Sequence, residues 1–132
     1  MATLRSDITI DRPVEHVWSV VSDAGRISEW FPSVLTSSLT GNERHCQLEG
    51  GIPLQEEVVT DDGDLHRFQY RIIGGGVPAE SHLGTIDVIA LDDSRSLVLY
   101  STEVEPDELA DTLGPAIADG VRGLKRYCES GS

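Results

Sequence analysis

Residues 50–78 read GGIPLQEEVVTDDGDLHRFQYRIIGGGVP, and this stretch decides the fold. Two runs rich in β-branched and aromatic residues, 54–60 and 65–73, flank Asp61-Asp62-Gly63-Asp64, whose residues favour a reversing turn. The pattern predicts a β-hairpin. Each open end of that hairpin runs into glycines followed by an apolar residue and a proline: Gly50-Gly51-Ile52-Pro53 on one side, Gly74-Gly75-Gly76-Val77-Pro78 on the other. Both loops therefore fall at the same end. Glycine permits sharp or positive-φ backbone and proline stiffens the chain beside it, so the loops are expected to frame a mouth with an apolar rim.

Side chains two residues apart share a face of a strand. Phe68, Tyr70 and Ile72 lie together, and their alternates are Arg67, Gln69 and Arg71, so the aromatic set is the buried one. The partner strand divides less clearly. Leu54, Glu56, Val58 and Thr60 face Gln55, Glu57, Val59 and Asp61, which are only somewhat more polar. Either Glu56 points a carboxyl group into an aromatic interior or it is a solvated strand residue.

A chain of 132 residues forms one domain, spanning 1–132, with room for a real core but not for a second lobe. Ten basic against 23 acidic residues give a net charge of −13, which repels phosphate backbones and anionic lipid surfaces. Nucleic acid is a poor partner for such a chain, and none is expected. No apolar run reaches membrane-spanning length, so membrane insertion is not expected, and the first seven residues lack the apolar segment of a secretory signal. The composition reads as cytoplasmic. Cys46 and Cys128 are read as reduced structural thiols, and the four histidines are too scattered to argue for a metal. No phosphate loop, dinucleotide fingerprint or nucleophile elbow is present, so no cofactor is expected.

Outward from the hairpin, Leu4, Ile8 and Ile10 predict a first strand. Asp11-Arg12-Pro13 then starts a helix with Val14, Val17, Trp18 and Val21 on one face. Asp23 is expected to cap a second short helix carrying Ile27, Trp30 and Phe31, which Pro32 stops. Strands are predicted at 33–40, 43–49, 54–60, 65–73, 80–92 and 96–104, with Cys46 and Leu48 sharing a face in the second of these. A helix follows at 107–127, with an apolar stripe of Leu109, Leu113, Ile117, Val121 and Leu124 and a kink expected at Gly114-Pro115. Gly114, Ala116, Gly120 and Gly123 are small where bulk would be expected, leaving either close backbone contact or room for a ligand. The expected architecture is α+β: a seven-stranded antiparallel sheet wrapped around the long C-terminal helix, with two short helices after the first strand.

This order of elements resembles the helix-grip fold of START and Bet v 1-like proteins. The resemblance extends to residues. Val17-Trp18, Asp23 and Trp30-Phe31-Pro32 look like the superfamily's opening pattern. Gly50-Gly51-Ile52-Pro53, Glu56, Asp62, Tyr70, Gly74-Gly75, Val104-Glu105-Pro106 and Gly123-Leu124-Lys125 run much as in the polyketide cyclase/dehydrase-like (SRPBCC) branch. Plant abscisic-acid receptors of the superfamily show a similar arrangement. Their gate loop is matched by 51–54, their cavity carboxylate by Glu56 and their second loop by 76–79, with His82 at the cavity-facing position after it. The gate-to-carboxylate spacing is two residues shorter here, and Val77 and Pro78 replace the receptors' histidine and arginine, so hormone binding of that type is not implied.

The resemblance implies a cavity between sheet and last helix. Its expected floor and walls are Trp30, Phe31, Leu48, Phe68 and Ile72 with Leu113 and Ile117 from the helix, its expected mouth Ile52, Pro53, Val77 and Pro78, and its polar groups Glu56, His82, Tyr70 and Tyr100. Such a pocket suits a small hydrophobic, oxygenated molecule, polyketide-like or lipid-like. Binding such a molecule is the first functional expectation. The alternative is a cyclase or dehydratase in which Glu56, its pKa raised by apolar surroundings, and His82, holding a proton near neutrality, perform acid-base chemistry. A structural Glu-His hydrogen bond, or two groups that never meet, is the plainer reading of the pair. A third expectation is a protein-interaction domain using its acidic outer face. The chain is expected to be a monomer or a homodimer.

Overall fold

The computed structural model describes residues 1–131. Strand β1 (Ala2–Ile10) leads into helix α1 (Val14–Val21), whose first turn carries Glu15 and whose Val17, Trp18 and Val21 are buried. The second short helix is a 3-10 turn, Ala24–Glu29, rather than an α-helix. Asp23 makes no side-chain cap there; its backbone carbonyl accepts the Arg26 N–H at 3.1 Å instead. Six strands follow: β2 (Val34–Thr40), β3 (Glu43–Leu48), β4 (Ile52–Asp62), β5 (Arg67–Gly75), β6 (Ser81–Asp92) and β7 (Arg95–Glu105). A 3-10 turn at Asp107–Leu109 then opens into α2 (Ala110–Glu129), which is continuous through Pro115. The proline does not end the helix.

The strands form one sheet in the order β1-β7-β6-β5-β4-β3-β2, with every neighbouring pair antiparallel. Six strands meander in sequence order, and β1 closes beside the last of them, leaving α1 and the 3-10 turn to bridge the sheet's two edges. Helix α2 buries Ile117, Val121, Leu124 and Cys128 against this sheet and the opening helices. That is the expected α+β helix-grip arrangement.

The central hairpin forms with a shifted turn. Strand β4 continues to Asp62, the reversal occupies Gly63-Asp64-Leu65-His66, and β5 begins only at Arg67. Asp62 Oδ1 accepts the backbone N–H groups of Asp64 at 2.9 Å and Leu65 at 3.0 Å, while His66 takes a φ of 54°. The carboxylate satisfies the donors that a two-residue turn would have paired with backbone. Leu65, expected in a strand, is instead exposed in this turn.

The small residues of α2 divide between the two uses expected of them. A Cβ at Gly123 would collide with the carbonyl oxygen of Trp30, and one at Gly120 would lie 2.6 Å from Phe31 Cε2. Close packing on the segment after the 3-10 turn explains both glycines. Gly114 differs, since its nearest neighbour would be Leu4 Cδ2 at 3.8 Å. Gly123→Ala is therefore expected to destabilise the fold by about 1–3 kcal/mol, the usual cost of overpacking. Gly114→Ala should be neutral or stabilising, because alanine is the better helix former. Denaturant midpoints of the two variants test the contrast, and equal midpoints would contradict it.

Candidate ligand-binding site

A cavity of about 240 Å³ lies between the concave face of the sheet and α2. It takes Phe31 from the segment after the 3-10 turn, Val34 from the start of β2, Leu48 from β3, Leu54 and Glu56 from β4, and Tyr70 and Ile72 from β5. His82 and Tyr100 come from β6 and β7, and Leu113, Ala116 and Ile117 from the helix. Ile52 and Val77 complete it where the two glycine loops meet. The loops do share one end: the Gly76 N–H donates to the Pro53 carbonyl at 2.7 Å.

Four residues expected in this wall lie outside it. Trp30 packs its ring against Phe31 and its backbone against Gly123. Phe68 is buried deeper, beneath the Arg44 guanidinium. Pro53 and Pro78 are exposed and do not line the cavity. In their place the cavity gains Ile27, Val34, Leu54 and Ala116, with Ser33, Glu49 and Thr112 as further polar lining.

Glu56 faces inward and is 5% exposed. Directly across the β3–β4 ladder from it stands Arg44, 1% exposed, whose Nε donates to Glu56 Oε1 at 2.7 Å. Arg44 Nη1 donates to the Ala24 carbonyl at 3.2 Å, and its guanidinium carbon lies 5.0 Å from the centre of the Tyr70 ring. Nη2 has no partner among the described residues. The same Oε1 accepts Cys46 Sγ–H at 3.9 Å, so Oε2 of Glu56 is the oxygen left for a ligand. Burial lifts the Glu56 carboxyl above its ordinary value, and the guanidinium opposes that lift by favouring the ionised form. Burial also pushes the Cys46 thiol up to about 12, which keeps it protonated and unreactive.

Arg44 is the buried partner of Glu56 that the sequence analysis did not single out. Its signal was present, since Arg44 alternates with Cys46 and Leu48 on the inward face of β3.

His82 belongs to the same cavity but does not bond to Glu56. The β5–β6 ladder runs from Arg67↔Asp87 to Tyr70↔Gly84, and beyond it the Ile72 N–H donates to His82 Nδ1 at 3.1 Å. A side chain takes the place of the ladder, fixing the imidazole with its proton on Nε2. Burial lowers the His82 pKa to about 4, so the expectation of a proton held near neutrality does not stand. A nearly buried imidazole with no anionic partner stays neutral. Near neutral pH it is a hydrogen-bond donor to the cavity through Nε2 rather than an acid.

The two tyrosines complete the polar side. Their hydroxyls bond to each other, and burial pushes both phenols well above their ordinary value, so both stay protonated. One hydroxyl of such a pair donates to the other, which keeps its own proton for a ligand. Gly84 opposes Tyr70 in the ladder because the ring lies over it: a Cβ there would sit 2.5 Å from Tyr70 Cε1. Among the described residues no helix is long and apolar enough to cross a membrane, and no group of three metal-ligating side chains forms.

A family model described as polyketide cyclase / dehydrase and lipid transport matches residues 1–129. The protein XoxI from Bacillus cereus superposes with a TM-score of 0.89 at 24% identity, over 96% of this chain and 94% of that one. A START superfamily protein from Mycobacterium smegmatis superposes with a TM-score of 0.85 at 14% identity, over 98% and 99% of the two chains. Norcoclaurine synthase from Thalictrum flavum, solved with dopamine and hydroxybenzaldehyde, gives a TM-score of 0.77 at 15% identity, over 99% and 88%. Likeness at these identities is likeness of fold. No curated protein sequence matches the chain.

Proposed function

The chain belongs to the polyketide cyclase/dehydrase and lipid transport family, and from that premise we propose that its cavity binds a small, mostly apolar, oxygenated molecule. The observation that carries this reading is the cavity itself. Its walls are aliphatic and aromatic, while Glu56, His82 and the Tyr70–Tyr100 pair supply a few convergent polar groups. That is the usual composition of a site that buries an apolar body and orients it through its oxygens. The Thalictrum enzyme, which has the same fold, holds aromatic molecules that carry oxygen.

Thermal unfolding with and without candidate ligands tests the proposal. A molecule that binds only the folded chain raises its stability by about 2.7 kcal/mol at a hundred times its Kd. Ala116→Phe places a ring in the cavity from the helix wall and should abolish that gain while the sheet and helix remain intact by circular dichroism. No ligand-dependent shift across a broad panel, or a shift that survives Ala116→Phe, would overturn the reading.

A second reading, acid-base cyclisation or dehydration, is favoured by the free Oε2 of Glu56 and the upward push on its carboxyl. Glu56 takes a proton from the carbon beside a carbonyl, and His82 Nε2–H or a tyrosine hydroxyl donates to the developing enolate oxygen. Glu56→Gln, which keeps an oxygen acceptor in the same place, is then expected to lower kcat at saturating substrate by about 10²-fold. A substrate turned over at an unchanged rate would assign Glu56 to orientation alone.

A further inference from the structure

Three features of the cavity narrow the chemistry of what it holds, and this narrowing rests on the cavity-binding reading above. The first is size. At about 240 Å³ the cavity lies below the usual range of about 300–1,000 Å³ for sites of drug-sized ligands, which favours a small molecule. A long acyl chain or a polycyclic polyketide exceeds that.

The second is charge. Arg44 and Glu56 cancel each other, His82 is neutral, and both phenols keep their protons, which leaves the solvent-exposed Glu49 as the remaining charged side chain of the lining. An ammonium or carboxylate on the ligand would add an uncompensated charge to a dry site, which is costly. The pairing with Arg44 matters here: it removes the net negative charge that would otherwise draw a cation to Glu56.

The third is the pattern of unused valences. Glu56 Oε2 is a free acceptor, while His82 Nε2 and one tyrosine hydroxyl are free donors. An ionised carboxylate rejects ether and carbonyl oxygens and rewards a hydroxyl.

We propose that the cavity takes a neutral molecule of one ring, or two small ones, that presents a hydroxyl to Glu56 Oε2 and a carbonyl oxygen to His82 Nε2 or the tyrosine pair. Hydroxyaryl ketones are the nearest chemical class. Arg44 acts as a positioning residue: it engages Oε1, leaves Oε2 for the ligand and favours the accepting, ionised form of the carboxyl against the pull of burial.

Calorimetric titration of the full chain at neutral pH tests this with para-hydroxybenzylacetone, its para-methoxy and unsubstituted analogues, tyramine, para-hydroxyphenylpropionate and palmitoleate. The hydroxy ketone is expected to bind tightest, about tenfold or more over the methoxy analogue, the worth of one hydrogen bond to a charged acceptor. Tyramine and the propionate are expected to be weaker than the hydroxy ketone by at least that factor, and palmitoleate not to bind. In the double variant Arg44→Met/Glu56→Leu the preference for hydroxy over methoxy should vanish. If that variant does not fold, the ligand series on the unmodified chain still decides. Equal affinity for hydroxy and methoxy analogues, or tighter binding of tyramine, overturns the inference while leaving cavity binding in place. Palmitoleate binding without any aryl ketone does the same. Silence from every ligand overturns both.

Discussion

Arg44→Met is expected to cost about 3–5 kcal/mol of folding stability at neutral pH, the typical price of removing one partner of a buried ion pair. The cause lies in what is left behind. Glu56 is 5% exposed, and its nearest charged partner would be gone, so an ionised carboxylate would stand in an apolar wall. Losing the hydrogen bond to the Ala24 carbonyl and the cation–π contact with Tyr70 adds to that. The carboxyl escapes by taking a proton, so the deficit against the unmodified chain should shrink as pH falls. Replacing both partners, Arg44→Met with Glu56→Leu, removes the orphaned charge and should bring stability back to within about 1–2 kcal/mol of the original. Urea denaturation of the two single variants and the double variant gives the coupling directly. If the double variant is as damaged as Arg44→Met, the loss comes from packing and not from charge.

That pair also shows where sequence reading ran out. The hairpin, the meander and the helix stripe were legible because each carries its own period: two in the strands, near four in α2, with turn residues between. The inward face of β5 was legible for the same reason, since Phe68 and Tyr70 alternate with Arg67 and Gln69. The face of β4 was not, because Val59 among its alternates blurred the contrast, and the structure turns Glu56 inward. Arg44 shares the alternation of Cys46 and Leu48, but the rule that sends charged residues to solvent overrode it, a rule that fails when the opposing strand supplies the counter-charge. Neither residue explains its burial alone. They become intelligible together only once the β3–β4 register places Arg44 opposite Glu56.

The glycine loops illustrate a second limit. Their common end followed from hairpin geometry, yet which rim residues turn inward depended on φ values that sequence does not print: Gly50, Gly51 and Gly75 all take positive φ. Beside these turns Ile52 and Val77 line the cavity, while Pro53 and Pro78 do not. The turn of the hairpin failed differently. Gly63 marked the right neighbourhood, but the carboxylate of Asp62 caps two backbone donors and extends the reversal to His66.

His82 yields the remaining large effect, through pH. Its pKa is lowered from 6.5 to about 4 by burial, so folding binds the neutral ring in preference to the charged one. Between those two values the unfolded chain carries a proton that the folded chain lacks, and stability must therefore rise with pH across the window. At about 1.4 kcal/mol for each tenfold change in proton affinity, His82 alone removes roughly 3 kcal/mol as pH falls from 6.5 to 4, and nothing more below it. Glu29, Asp92 and Glu129, whose carboxyls their partners hold below the ordinary values of 4.5, 3.8 and 4.5, lose stability mainly beneath this window, and Glu56, raised by burial, pulls the opposite way. The comparison that isolates the imidazole is His82→Gln, which keeps an acceptor for the Ile72 N–H and has no proton to gain. Urea denaturation of both proteins across this range should give curves that converge as pH falls, with the unmodified chain losing about 3 kcal/mol relative to the variant. Parallel curves would mean that His82 is hydrated or charged in the fold. Its place as a neutral donor in the cavity would then fail with them.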